Sequence, residues 1–384
     1  MTGPYAMVGE ILTTAGPTRG AVVIQDGKID ALLRDPRPGV LPEERREFVG
    51  LLCPGFIDLQ INGAFGADIG PDPDAISILV AKLPATGVTS FLPTLISSPP
   101  ELYEGFFDAL EEGGVENGAH VLGAHLEGPF LAPDRKGAHD PAHLRPIDLG
   151  FIRELLGSGK VKIMTLAPEL PNALEAIELL LDEGAVASAG HTEATYEEVT
   201  RAVDAGLRLG THLFNAMRPL AHREPGTVGA LLTDGRVKVG IIADGVHVHE
   251  AALRLAHRAK GSEGLILVTD AMQAAGMPPG DYELGGRKVR LEDGAVRLSD
   301  GTLAGSALTM DKAVRNAVRF LGVPLAQAVR MAAETPAAAL NLDGKGKIAV
   351  GCDADFALLD AESTVLETIV AGETVYERGK SGHS

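Results

Sequence analysis

Two imidazoles and a carboxylate, His191, His212 and Glu127, offer this chain three ligands for a divalent cation. Three protein ligands leave a fourth position open for water, the content of a catalytic zinc site. Water held there ionises near pH ~7 rather than near ~16, so a nucleophile arises without an activated Ser or Cys. Asp270 could take a proton from that water and later deliver it to a leaving group. Read locally, Asp270 could instead cap the segment 271–275. A second metal candidate is the H-x-H spacing of His247-Val248-His249-Glu250, although Gly245 before it and a helical run after it suggest a loop entering a helix. No H-E-x-x-H, C-x-x-C or G-x-S-x-G occurs, and Gly63, Gly66 and Gly70 match neither G-x-G-x-x-G nor a Walker A loop.

These residues lie far apart in the chain, so folded elements must gather them. Eight short apolar β runs are predicted, at 52–61, 88–92, 121–126, 161–166, 185–189, 206–213, 237–243 and 265–269. Amphipathic helical stretches fall between most of them, at 74–86, 101–111, 147–158, 172–182, 195–205 and 250–260. Strands alternating with helices imply a parallel sheet with right-handed crossovers. Eight of them point to a closed (β/α)₈ TIM-like barrel, with an open doubly wound sheet as the alternative. Asp58 and Gln60 fall on the first run, and His125 and Glu127 end the third. His191 follows the fifth, His212 lies in the sixth, Asp244 and His247 follow the seventh, and Asp270 ends the eighth. In a barrel all of these converge on the C-terminal mouth, where barrel active sites sit.

Both chain ends read as short strands separated by Gly, Pro and charged turns. Neither end makes a core alone. Together they would make one small β-sandwich domain from residues 1–50 and 344–384, with the barrel over 51–343.

The 384 residues carry 34 basic and 52 acidic side chains, a net charge of −18. That surface repels phosphate backbones and argues against nucleic-acid binding; an anionic substrate would need cations supplied by the site itself. Trp is absent and aromatics make up 4%, which argues against an aromatic platform for single strands or glycans. Cys53 and Cys352 cannot form a disulfide framework and read as reduced, buried thiols of a cytoplasmic protein. No signal peptide and no membrane-length apolar run is evident.

Five strings carry a family resemblance: Pro54-Gly55-Phe56-Ile57-Asp58, His125-Leu126-Glu127-Gly128-Pro129, Ala189-Gly190-His191-Thr192, Thr211-His212-Leu213-Phe214-Asn215-Ala216-Met217 and Thr269-Asp270-Ala271-Met272. Together they resemble the N-acetylglucosamine-6-phosphate deacetylases of the amidohydrolase superfamily, over about residues 50–340. The first string marks the superfamily alone; the Gly-Pro after Glu127 and the full Thr-His-Leu-Phe-Asn-Ala-Met string are particular to this branch.

The resemblance implies a hydrolase acting on a linear amide, releasing acetate and glucosamine 6-phosphate in amino-sugar catabolism and recycling. It makes Glu127, His191 and His212 the metal ligands and Asp270 the general base and acid. His139, beside Ala138, would polarise the amide carbonyl. Asn215, Ala216, Arg223, Asp244, His247, Leu303, Ala304 and Gly305 would hold the sugar phosphate, with Arg223 reaching across a homodimer interface. Where most of the superfamily has His-x-His and two metals, this chain has Gln60-Ile61-Asn62. The expectation is therefore one divalent ion per subunit, zinc, with Fe²⁺ or another transition ion as the alternative. A different amidohydrolase, such as a dihydroorotase or aminoacylase, and a catalytically dead barrel serving as a scaffold or sugar sensor are the competing readings. The intact Glu127, His191, His212 and Asp270 argue against the second.

Overall fold

The computed structural model describes residues 3–13, 16–70, 72–113 and 117–380. Its centre is a run of eight parallel strands in chain order: Phe56–Ile61, Val88–Ile96, Ala124–Glu127, Val161–Leu166, Val186–Ala189, Leu209–Gly210, Lys238–Ile241 and Leu265–Leu267. Each of the eight predicted runs overlaps one of these strands, and six contain it whole. The first two strands are buried along their whole length, so even their polar members, Asp58 and Gln60 among them, lie inside the protein.

The barrel closes between its last and first strands without a regular ladder. The Asp270 N–H donates to the Gln60 carbonyl (2.9 Å) and the Asn62 N–H to the Ala271 carbonyl (2.7 Å). Below them the Asp58 carboxylate accepts the Thr269 N–H (3.2 Å) and its hydroxyl, standing in for backbone bonds of the missing ladder. Burial pushes the Asp58 pKa up to about 7, against the hydrogen bonds from Thr269 and Gln60 that favour its charged form.

The predicted helices form with shifts of a few residues at their ends. Tyr196–Asp204, for example, starts on a reciprocal cap between Thr195 and Glu198. Several elements were not predicted. The helices Gly226–Thr233, Met310–Leu321 and Leu325–Ala332 complete the outer layer. Gly280–Leu284, Arg287–Glu292 and Ala295–Arg297 form a three-stranded antiparallel sheet. Arg287–Glu292 buries only two residues, on one face, so its apolar signal is weak.

Strands from both chain ends form one seven-stranded sheet. Its order is Glu373–Glu377, Val365–Val370, Phe356–Leu359, Arg45–Pro54, Tyr5–Thr13, Gly16–Gln25, Lys28–Arg34, with Tyr5–Thr13 and Arg45–Pro54 parallel. The sheet curls so that Met7, Val22, Ile29, Phe356 and Ile369 share one core, and the Tyr5 hydroxyl bonds to the Gly372 carbonyl. The single run expected at 52–61 is two strands in two sheets. The chain breaks at Gly55, where a Cβ would stand 2.2 Å from the Thr89 side chain, so only glycine fits the junction.

Asp58 at the seam generates a prediction. Its folded pKa lies above the unfolded value of ~3.9, so its contribution to stability is complete below pH ~4 and is lost as the pH rises through about 7. Asp58→Asn keeps an acceptor oxygen but does not titrate, so denaturant unfolding across pH 4–7 should show wild type losing stability relative to this variant. Asp58→Ala leaves the Thr269 donors unpaired and should cost ~1–3 kcal/mol at every pH. Parallel pH profiles for wild type and Asp58→Asn would contradict the assignment.

Candidate active site

Glu127 is the last residue of the third barrel strand, and its carboxylate turns into the mouth of the barrel. His191 stands just beyond the fifth strand, His212 just beyond the sixth and Asp270 just beyond the eighth. Each of these three has a left-handed backbone, with φ of 49°, 28° and 47°. Such conformations cost non-glycine residues on the order of 1–3 kcal/mol each. The strain sits where a side chain leaving a strand must turn sharply inward.

Glu127 Oε1, His191 Nε2 and His212 Nε2 form a triangle with sides of 3.2, 2.9 and 3.0 Å. The Arg135 carbonyl accepts from His191 Nδ1–H at 2.8 Å, which leaves His191 Nε2 with a bare lone pair in the neutral ring. Two imidazole nitrogens 3.0 Å apart can share at most one proton. A divalent cation held by all three atoms would relieve that conflict, and so small a triangle suits ligand bonds of ~2.0–2.2 Å. Burial opposes ionisation of Glu127, but His191 and His212 outweigh it and hold its carboxyl well below the usual range.

His139 also lies within 4.8 Å of Glu127 and His191 by its donor atoms. Its Nδ1, however, accepts the Ser97 N–H at 3.2 Å. The ring proton is therefore on Nε2, 3.9 Å from Glu127 Oε2, and His139 offers a donor rather than a lone pair. Burial and the neighbouring His191 push its pKa down to about 3, so the ring stays neutral.

Asp270 caps nothing. Its Oδ1 accepts from Asn62 Nδ2 at 2.7 Å and Gln60 Nε2 at 3.2 Å, which leaves Oδ2 uncommitted. Burial, then the charge of Glu127, raises its pKa to about 6. Gln60 Nε2 also donates to Glu127 Oε1 at 3.0 Å. Both amides thus turn N–H groups toward the carboxylates.

A cleft of about 460 Å³ opens over these groups. Of the residues expected to touch substrate, Ala138, His139, Asn215, Ala216, His247, Leu303 and Gly305 line it. Ala304 is fully buried behind that wall. Asp244 does not line the cleft; its Oδ2 bonds to His247 Nδ1 at 2.6 Å and orients that ring. Arg223 is exposed and lies outside the wall of its own chain's cleft.

Two residues expected at the mouth are elsewhere. Asp58 closes the barrel seam, and His125 is fixed inside the barrel by the Leu59 carbonyl (3.0 Å) and Thr165 Oγ1 (2.8 Å). Their side chains lie on the same strand face as those of Gln60 and Glu127 but two residues earlier, and so deeper in the barrel, below the rim. His249 caps the helix Glu250–Gly264 and forms no H-x-H site with His247. Arg135, Gly137 and Arg297 line the cleft without having been singled out. The available signal was the polar Asp134-Arg135-Lys136-Gly137 run just ahead of His139. Among the described residues, no helix is long and apolar enough to cross a membrane.

Comparison with known proteins agrees with this arrangement. The sequence model of the amidohydrolase family matches residues 51–375. An N-acetylglucosamine-6-phosphate deacetylase of Danio rerio is 42% identical over 85% of this chain and 85% of its own length. An N-acetylgalactosamine-6-phosphate deacetylase of Escherichia coli O157:H7 is 39% identical over 91% of this chain and 93% of its own. The crystal structure of N-acetylglucosamine-6-phosphate deacetylase from Pasteurella multocida superposes with a TM-score of 0.91 at 35% identity, covering 97% of this chain and 99% of that one. The parallel barrel, the buried Glu and His groups at its mouth and these similarities along most of the chain lead to one conclusion: the chain belongs to the amidohydrolase family.

Proposed function

We propose that this enzyme hydrolyses the acetamide of N-acetylglucosamine 6-phosphate to glucosamine 6-phosphate and acetate, in amino-sugar catabolism in the cytoplasm. The observation that carries the reading is the triangle of Glu127, His191 and His212 beside Asp270, in a chain about 40% identical to deacetylases along most of its length. Glu127, His191 and His212 would hold one divalent ion, zinc, with Fe²⁺ or another transition ion as the alternative. Such an ion supplies an easily ionised water and draws charge from a carbonyl oxygen. The amide donors of Gln60 and Asn62 occupy the positions where a second ion would need lone pairs, which supports a single-metal site.

The chain's own groups divide the remaining chemistry. Asp270, a carboxylate at neutral pH, takes a proton from the attacking water through its free Oδ2. The water oxygen bonds to the amide carbon, and His139 Nε2–H donates to the carbonyl oxygen as negative charge develops there. Asp270 then passes its proton to the sugar nitrogen, the C–N bond breaks, and acetate and the amine leave. Ala138, Asn215, Ala216, His247 and the segment Leu303 to Gly305 support the sugar and its phosphate, with Asp244 and Ala304 behind them. The exposure of Arg223 outside its own cleft supports its action on the phosphate of a second subunit in a homodimer. Similarity to the N-acetylgalactosamine-6-phosphate enzyme favours that epimer as a second reading. Acetate release from phosphorylated and unphosphorylated N-acetylhexosamines, with metal-stripped and reconstituted protein, tests both.

Three outcomes are expected. Asp270→Asn should retain its metal but lose ~10²–10⁴-fold in kcat, because shape is kept while proton transfer goes; near-normal turnover at full metal load would refute the role. Elemental analysis should find about one ion per wild-type chain, and His191→Ala or His212→Ala should lose metal and activity together. Two tightly bound ions in the unmodified protein would refute the single-metal site. Arg223→Ala should raise KM for the phosphosugar by roughly 10–150-fold and leave KM for the unphosphorylated sugar nearly unchanged. Mixed Arg223→Ala and Asp270→Asn subunits should recover activity at low phosphosugar, since one site per heterodimer is intact. No recovery in proven heterodimers would place Arg223 in cis or outside the site.

A further inference from the structure

The three-stranded sheet of residues 280–297 carries its own apolar core. Leu284, Val289, Leu291 and Val296 pack there with Ile96 at the end of the second barrel strand and Met272 beyond the eighth. Its first turn, Gly285-Gly286, is held by Asp68, whose Oδ2 accepts the Gly285 N–H at 3.0 Å. The sheet is thus seated on the mouth rather than hung from a mobile loop.

Arg287, at the start of its middle strand, reaches across to the segment that carries His139. Its Nη1 donates to the Ala138 carbonyl at 2.7 Å and to the His139 carbonyl at 3.3 Å. Among the described residues no carboxylate lies within ion-pair distance of this guanidinium, so these two carbonyls are its principal partners. His139 is otherwise held by its N–H to the Lys136 carbonyl (3.0 Å) and by Nδ1 to Ser97 (3.2 Å to N, 2.9 Å to Oγ). The Ser97 contact fixes the rotation of the ring, and the Arg287 contact fixes the backbone from which the ring hangs. Both are needed to aim one N–H bond, because a hydrogen bond weakens steeply once its angle is lost.

We propose that Arg287 is a positioning residue for the amide hydrolysis: by holding the Ala138 and His139 carbonyls it aims His139 Nε2–H at the carbonyl oxygen of the scissile amide. This rests on the role given to His139 above. Arg287 does not line the cleft, so it acts through His139 and not by touching substrate.

The test is a double-mutant cycle on the metal-loaded enzyme with the phosphosugar. Arg287→Ala should lower kcat about 10-fold, since a misplacement near 1 Å costs up to ~10²-fold, and leave KM within about two-fold. Metal content and the circular dichroism spectrum should be unchanged. In a His139→Gln background, already slow, Arg287→Ala should cost no more than about two-fold further, because there is no aimed imidazole left to misplace. Arg287→Lys, which keeps the charge, should show a smaller loss with the same non-additivity, and it carries the test if the alanine variant does not fold. The same fold loss with and without His139, or a change confined to KM, would overturn the proposal. Absence of turnover by the wild type would overturn the functional reading itself, and this inference with it.

Discussion

One buried charge organises the mouth of this barrel. Glu127 is 2% exposed, and a carboxylate taken from water into protein costs several kcal/mol unless it is paired and hydrogen-bonded. Three other strands answer that demand: Gln60 on the first, His191 after the fifth and His212 after the sixth all meet its Oε1. Only a closed parallel sheet brings strands so distant in order to one rim with their ends facing the same way. The left-handed backbones at His191, His212 and Asp270 are the cost of aiming short side chains inward from that rim.

The seam between the first and last strands serves both the fold and the site. Asp58 and Thr269 close it deep in the barrel, and Gln60 with Asp270 close it at the rim. Gln60 takes part twice there. Its carbonyl accepts the Asp270 N–H, and its side-chain amide donates to the Asp270 carboxylate. The group assigned to move protons is therefore held, backbone and side chain alike, by the residue that joins the barrel.

The remaining elements divide by barrel end. The seven-stranded sheet adjoins the N-terminal ends of the first two barrel strands, through the Gly55 N–H to the Asp355 carbonyl and Thr368 Oγ1 to the Pro84 carbonyl, and contributes no residue to the cleft wall. The small sheet of residues 280–297 rests on the opposite end, contributes Leu284 and Arg297 to the wall and clamps the His139 segment. Stability and chemistry are thus modified at opposite ends of one scaffold, the division that a βα barrel permits.

Much of this was legible in the chain. The eight largely apolar runs pointed to the barrel, because parallel strands buried on both faces favour apolar residues along their length. The ligand-type residues gave the site, because Glu127, His191 and Asp270 fall where those runs end. His212 was read as lying within the sixth run, yet the regular strand ends at Gly210 and, between the Thr211 N–H to Ala189 and the Leu213 N–H to Gly240, the left-handed backbone at His212 turns its ring inward. What the chain could not tell was depth. Asp58 and Gln60, two residues apart on one strand, differ in depth, one closing the seam and the other reaching the metal-type ligands. His125 and Glu127 diverge in the same way. The clamp of Arg287 was equally hidden, because its strand alternates and its partners are backbone carbonyls about 150 residues away, a distance of 149 positions to Ala138. Burial and periodicity are properties of a segment and can be read along it. Which donor meets which acceptor across a barrel depends on twist, register and loop path, and these are settled only when the distant segments pack together.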